Sequence, residues 1–253
     1  MISLKSPEEI EIVARAGAVI ADLYRIIPAE VVPGRTTAEL DEFAESFIRD
    51  HPGAEPAFKG LYGFPATLCT SVNHEVVHGI PAQRRKLVEG DVVSIDCGVK
   101  LDGFYADAAI TLAVGEIAPD AARLLEVTRT ALDHGVAEAR PGNRLYDIGA
   151  AVQEVAERAG LGIVRDLVGH GIGRSPHEEP QVPNVGRRGR GMKLEAGLVI
   201  CIEPMLNLGT AEVRTLPDRW TVVTADRKVS AHFEHTVAIT ADGPRVLTPW
   251  QLA

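Results

Sequence analysis

The chain has 253 residues, 45% hydrophobic and 24% charged, which suits a globular protein with one large buried core. A formal net charge of −9 argues against nucleic acid as the main partner, and no run of about 18 apolar residues offers a membrane span. Three cysteines (Cys69, Cys97 and Cys201) make an odd set without metal-binding spacing, and read as reduced thiols in a cytosolic protein.

Charges break every apolar run of the opening MISLKSPEEIEIVARAG, so no signal peptide of the usual form is expected. Ser6, Pro7 and Glu9 form a capping box that starts a helix carrying Ile10, Val13, Gly17, Ile20, Tyr24 and Ile27. Pro33-Gly34 breaks it, and Thr36 with Glu39 opens a second helix carrying Leu40, Phe43 and Phe47. Strands are predicted near 66–73, 91–99 and 104–114. The same order then recurs. A helix starts near Pro119, Pro141-Gly142 interrupts, a second helix runs to about Ala159, and strands fall near 163–169, 198–203 and 232–240. Helices and strands are segregated within each half, so the class is α+β.

The recurrence is literal in places. LVEGDVVSID at 87–96 matches LEAGLVICIE at 194–203, and PGRTTAEL at 33–40 matches PGNRLYDI at 141–148. A duplication is expected within a single domain, 1–253, with internal halves of about 1–115 and 116–253. The first repeated segment ends in a carboxylate both times, Asp96 and Glu203, and a carboxylate closing an apolar run is costly to bury without a positive partner.

Asp102-Gly103 is a hairpin signal between two of the strands. A two-residue turn there sets Asp96 opposite Ala109 and Asp107 opposite Gly98, so both carboxylates project from one face of the ribbon. Such anions repel unless one is protonated or a cation bridges them. In the second half Glu203 ends the repeated strand, and Glu234 sits in HFEHTVAIT, an echo of YADAAIT around Asp107. The spacing puts an insertion within 204–231. Four carboxylates from two related ribbons can hold two divalent metals. A lone histidine is more often structural than a ligand, but this cluster lacks a nitrogen donor and His170 lies in GHGIG, whose HGI also occurs at His78. His170 is therefore read as a ligand. His232 shares a face with Glu234 and approaches the site, whereas His51 and His134 fit exposed helical positions and His74 precedes a tight segment. Cys97 and Cys201 read as small core residues, and Arg187-Arg188-Gly189-Arg190 as a solvated loop.

With those residues in view, SVNHEVVHGIP (71–81), DCGVKLDGFYAD (96–107), GHGIGRSPHEEP (169–180), CIEPM (201–205) and FEHTV (233–237) resemble type I methionine aminopeptidases, in order and over essentially the whole chain. The length resembles the short bacterial form. The resemblance implies the pita-bread fold, a pseudo-twofold α+β arrangement with a central antiparallel sheet covered by helices. It implies two divalent cations, Co(II), Mn(II), Fe(II) or Zn(II), on Asp96, Asp107, His170, Glu203 and Glu234. It further implies Glu203 as proton shuttle, His78 and His177 at the scissile amide, and Cys69 and Trp220 along the methionine pocket. Phe58, Tyr62 and Phe64 are reasonable apolar lining for the same pocket. The family often has cysteine at Phe58, tyrosine at Phe64 and an aromatic at Pro176, positions that shape the pocket and not the cage.

The implied activity is removal of N-terminal methionine from nascent polypeptides and Met-peptides, before a small uncharged second residue and after deformylation. The implied setting is a cytoplasmic monomer, with transient ribosome association allowed and neither a stable nucleic-acid complex nor a membrane involved. The near rival is a proline-specific peptidase of the same fold, which usually carries a large N-terminal domain, whereas the first helix here begins at about residue 7. A non-catalytic binding protein of this fold would not need a complete ligand set.

Overall fold

The computed structural model describes residues 2–250. Helix α1 (Pro7–Ile26) begins at the capping box read from the sequence, with Ser6 Oγ accepting from Glu9 N and the Glu9 carboxylate accepting from Ser6 N. Helix α2 (Thr37–Arg49) repeats the device with Thr36 and Glu39. Helices α3 (Pro119–Glu138) and α4 (Leu145–Ala159) follow in the second half. There Asp147 Oδ2 takes up the Arg144 N–H at 2.7 Å, and Gly160, at φ +71°, closes α4.

The first-half strands are β1 (Ala54–Pro56), β2 (Leu68–Val72), β3 (Glu75–Val77), β4 (Val92–Leu101) and β5 (Phe104–Ala113). Those of the second half are β6 (Gly162–Ile163), β7 (Gly169–Gly171), β8 (Glu178–Val182), β9 (Val199–Ile202) and β10 (Met205–Asn207). They continue as β11 (Val213–Thr215), β12 (Val222–Thr224), β13 (Ser230–His232), β14 (His235–Thr240) and β15 (Gly243–Val246). One sheet has the order β1-β4-β2 with β5 on the other side of β4, and another runs β15-β14-β9-β7-β8. The class is α+β, with antiparallel pairing in both sheets.

The hairpin register is the expected one: Asp96 pairs with Ala109 and Gly98 with Asp107. Its counterpart in the second half is the β9–β14 pair, where Ile202 faces His235. The two ribbons meet edge to edge. Glu234 N donates to Ala109 O at 2.9 Å, and Thr236 Oγ1 accepts from Asp107 N at 3.0 Å while donating to Asp107 O at 2.7 Å. Helix α1 covers β4 and β5, where its buried Tyr24 hydroxyl lies 2.5 Å from Ala108 O and 2.9 Å from Ile95 O. Helices α3 and α4 cover the second sheet. Their close approach needs Gly135, where an added Cβ would lie 3.0 Å from Val152 and 3.2 Å from Ile202.

Two sequence expectations differ in detail. The strand expected near 163–169 is two short pieces, because β6 pairs with β10 whereas β7 pairs with β8 and β9, and residues 164–168 cross between those sheets. His51 lies just past α2, half-buried, its Nδ1 bonded to Phe47 O at 2.8 Å. The arginine loop is solvated as expected, its residues 187–190 all exposed, but it is also tied down, since Arg188 pairs with both Glu138 and Glu154. Residues 204–231, where the insertion is expected, hold β10, β11, β12 and most of β13, and β12 pairs with β3, so second-half chain completes a first-half edge. Among the described residues no helix is long and apolar enough to cross a membrane.

Candidate metal centre

Asp96 and Asp107 point from one face of the β4–β5 ribbon because both registers and both pleats agree there. Glu203 follows the last residue of β9, and Glu234 lies just before β14, so the second ribbon delivers its acids to the same place. Asp96 and Asp107 stand close enough for each to shift the other's titration. One ligand atom each from Asp107, His170, Cys201 and Glu234 lies within 4.8 Å of the others. Glu203 joins this group through His170, whose Nε2 is 3.6 Å from Glu203 Oε1, and through His232, whose Nε2 is 3.7 Å from Glu203 Oε2.

Burial sets the electrostatics. Asp96 is pushed up to about 7 by loss of water. Asp107, Glu203 and Glu234 rise well above the ordinary carboxyl range, first by the same desolvation and then by one another's charge. Buried Asp96 Oδ1, Asp107 Oδ1 and Glu234 Oε1 have no hydrogen-bond partner. A packed cluster of acids with unsatisfied oxygens is unstable as anions, and a divalent cation removes that cost. His170 completes the fit. Burial, and then the charge of His177, lowers its pKa to about 4, so the ring is neutral; with Nδ1 donating to Gly171 O at 3.0 Å, Nε2 is left as a free lone pair aimed at the acids. The Cys201 thiol is pushed up by burial and then by Glu234 and Asp107, and it rests 3.6 Å from Thr236 Oγ1. Metals take the thiolate form, so Cys201 is better read as packing against the acids.

The acids form the floor of a cleft of about 510 Å³, and every residue singled out from the sequence for metal, substrate or pocket roles lines it. Phe58, Phe64 and Cys69 pack together with half-buried Trp220 along one side. Phe64 meets Trp220 edge-on at 5.1 Å, and His78 meets it at 6.5 Å. Phe58 lies against Gly98, where an added Cβ would fall 2.6 Å from the ring. Tyr62 stands apart from this group: it is 73% exposed at the mouth and stacks on His177 at 5.8 Å. His177 in turn meets His170 edge-on at 4.5 Å. His78 and His177 are both held toward the neutral form by burial.

Sequence reading passed over the residues that support these groups. Thr236 holds the Asp107 backbone from both sides, and Thr248 Oγ1 accepts from Thr236 N at 3.1 Å. Trp250 donates from Nε1 to Glu234 O at 3.0 Å and stacks on His235 at 4.4 Å. Asn184 donates to Glu203 O at 3.1 Å. Asn184, Thr248 and Trp250 stand in no repeated segment, and Thr236, though in the segment that echoes the one around Asp107, aligns there with Ala109, so nothing in the pattern marked them. Leu167, Val168 and Met205 also line the cleft, and hydrophobic patterning alone does not separate them from core.

Residues 11–241 match the model of metallopeptidase family M24. The chain is 53% identical over 248 residues to a methionine aminopeptidase of Clostridium perfringens (strain 13 / Type A), covering 98% of this chain and 99% of the relative. A crystal structure of methionine aminopeptidase from Thermotoga maritima superposes with a TM-score of 0.96 at 42% identity, over 98% of this chain and 99% of that one. A prolidase from Pyrococcus furiosus shares the fold at a TM-score of 0.79 and 23% identity, with 98% of this chain on 66% of that one.

Proposed function

The chain belongs to metallopeptidase family M24, among the methionine aminopeptidases with their pita-bread fold, and from that membership we propose that it removes N-terminal methionine from nascent polypeptides and Met-peptides. It is a hydrolase that uses divalent metal. In this reading Asp96, Asp107, His170, Glu203 and Glu234 hold two cations, and the observation that carries it is the group of orphaned, buried carboxylate oxygens facing a neutral imidazole. One nitrogen among carboxylates suits Mn(II), Fe(II) or Co(II), and Zn(II) also fits. When bound, such cations would lower the pKa of a coordinated water and polarise the peptide carbonyl.

The protein's own groups do the rest. Glu203, touching both His170 and His232, carries a proton from the attacking water to the leaving amine. His177 donates to the carbonyl oxygen as negative charge develops there, and His78 binds the backbone on the side of Trp220. Phe58, Phe64, Cys69 and Trp220 enclose the methionine side chain, and Tyr62 closes over it at the mouth. The free α-amine would bind at the metal site, which limits the enzyme to chain ends. The second residue is small and uncharged, and formyl groups are removed beforehand. The chain acts as a single domain, with halves of about 1–115 and 116–253, and as a cytoplasmic monomer that meets the ribosome transiently. The test is hydrolysis of Met-Ala-Ser against a Xaa-Pro dipeptide, with protein purified anaerobically and reloaded with each candidate ion. Failure on the Met peptide under every ion overturns the reading.

A further inference from the structure

Lys5 is the only buried lysine or arginine among the described residues, and the metal cage does not account for it. Its ammonium lies 2.5 Å from Glu178 Oε2 and 2.9 Å from Ser3 O, while its backbone N–H donates to Gly197 O at 2.7 Å. A buried ammonium is costly to desolvate and persists only where geometry is held from several sides. Glu178 directly follows His177, and its other oxygen accepts from Ser175 N at 3.1 Å. One carboxylate therefore closes residues 175–178 into a tight loop that carries His177, and Lys5 holds the carboxylate.

The base of the loop is tied to the same end of the molecule. Arg174 donates to Glu9 at 2.7 Å and lies over the Phe104 ring at 4.4 Å, and Tyr105 N donates to Gly173 O at 2.8 Å. Contact is so close that a Cβ added to Gly173 would fall 2.2 Å from Lys5 Cε. The Lys5 stem is thus pressed against the loop, and residues 2–6, which carry it ahead of α1, form an N-terminal arm.

We infer that Lys5 is a positioning residue: through Glu178, the N-terminal arm holds the loop that presents His177 to the cleft. The inference rests on the reading of His177 as the group facing the substrate carbonyl. A pair that merely stabilised the fold would act equally whether or not residue 177 were histidine. Lys5→Met should lower kcat on Met-Ala-Ser about tenfold with KM little changed, since displacing a catalytic group by about 1 Å is expensive. In a His177→Ala background the same substitution should change kcat less than about twofold. Amides of 173–178 should exchange hydrogen faster in Lys5→Met while those of β4 and β5 do not change. Glu178→Gln keeps the shape and should show the same coupling and exchange even if Lys5→Met fails to fold. Equal losses in both backgrounds, or unaltered exchange at 173–178, overturns the inference. A wild type inactive on Met-Ala-Ser, or a fully active His177→Ala, would instead refute the reading of the site, and the exchange experiment would still decide the hold of the arm.

Discussion

The cage of acids and the apolar slot beside it are built by different means. The cage is two antiparallel ribbons laid edge to edge, each delivering its carboxylates through register. The slot is assembled from chain outside those ribbons: Phe58 and Phe64 from the stretch between β1 and β2, Cys69 from β2, and Trp220 from the turn that precedes β12. Chemistry therefore sits on elements whose geometry is over-determined, and selectivity sits mostly on connecting segments that can be exchanged without disturbing it, Cys69, which pairs with Asp96, being the exception. Damage to the cage should stop turnover, whereas damage to the slot should change which substrate is turned over.

The sharpest way to break that division is Glu203→Ala, expected to lower kcat by about a thousandfold or more with the fold intact, by loss of the proton shuttle. Steady-state kinetics on Met-Ala-Ser checks it, and full activity would remove Glu203 from the chemistry. His177→Ala should cost about a hundredfold in kcat, the scale of one lost oxyanion donor, with metal content unchanged. If metal content falls in step with activity, His177 belongs to the cage and the division is misdrawn.

Protonation sharpens the contrast further. The cage carboxyls are raised in the folded, metal-free protein, so that state binds more protons than the unfolded chain and loses stability as pH rises. The buried histidines act oppositely, but only at acid pH: His170, held at about 4, and His232, at about 3, are neutral in both states above about pH 7. Metal-free protein should therefore show a Tm that goes on falling as pH rises past about 7, where the histidines no longer oppose the carboxyls, and metal-loaded protein a much flatter one. Parallel curves would mean that the acids are not metal-linked. Thr236→Val strands the Asp107 N–H and should destabilise by about 1–3 kcal/mol, read from denaturant melts, and weaken metal binding. The smallest effect is expected at the slot. Phe58→Cys removes the ring lying on Gly98 and should shift kcat/KM toward bulkier first residues by about 1–3 kcal/mol of discrimination, with kcat for methionine peptides nearly unchanged.

How far the sequence carried follows from the same division. Asp96 opposite Ala109 was legible because a two-residue turn and a period of two leave no freedom, and the duplication then pointed to Glu203. His170 needed the context of the acids, since the pattern alone could not tell a ligand from a core histidine. The slot aromatics had to be borrowed from a resemblance, and Tyr62 shows the limit: its residue type suits a pocket wall, yet it stands exposed at the mouth on a backbone with φ of +51°. Thr236, Trp250 and Lys5 escaped notice because each acts through tertiary contacts across more than a hundred residues or from the end of the chain, where no local period leaves a trace. The strand expected over 163–169 failed for a related reason: the chain changes sheets within it.

The chain holds two tryptophans, Trp220 and Trp250, and they fall one on each side of this division. Trp220 forms a wall of the slot, and Trp250 lies behind the acids with its indole bonded to the Glu234 carbonyl. The protein thus carries its own pair of optical reporters. With either indole replaced by phenylalanine, the emission of the survivor would follow side-chain entry alone or cation loading alone, in real time and without a label.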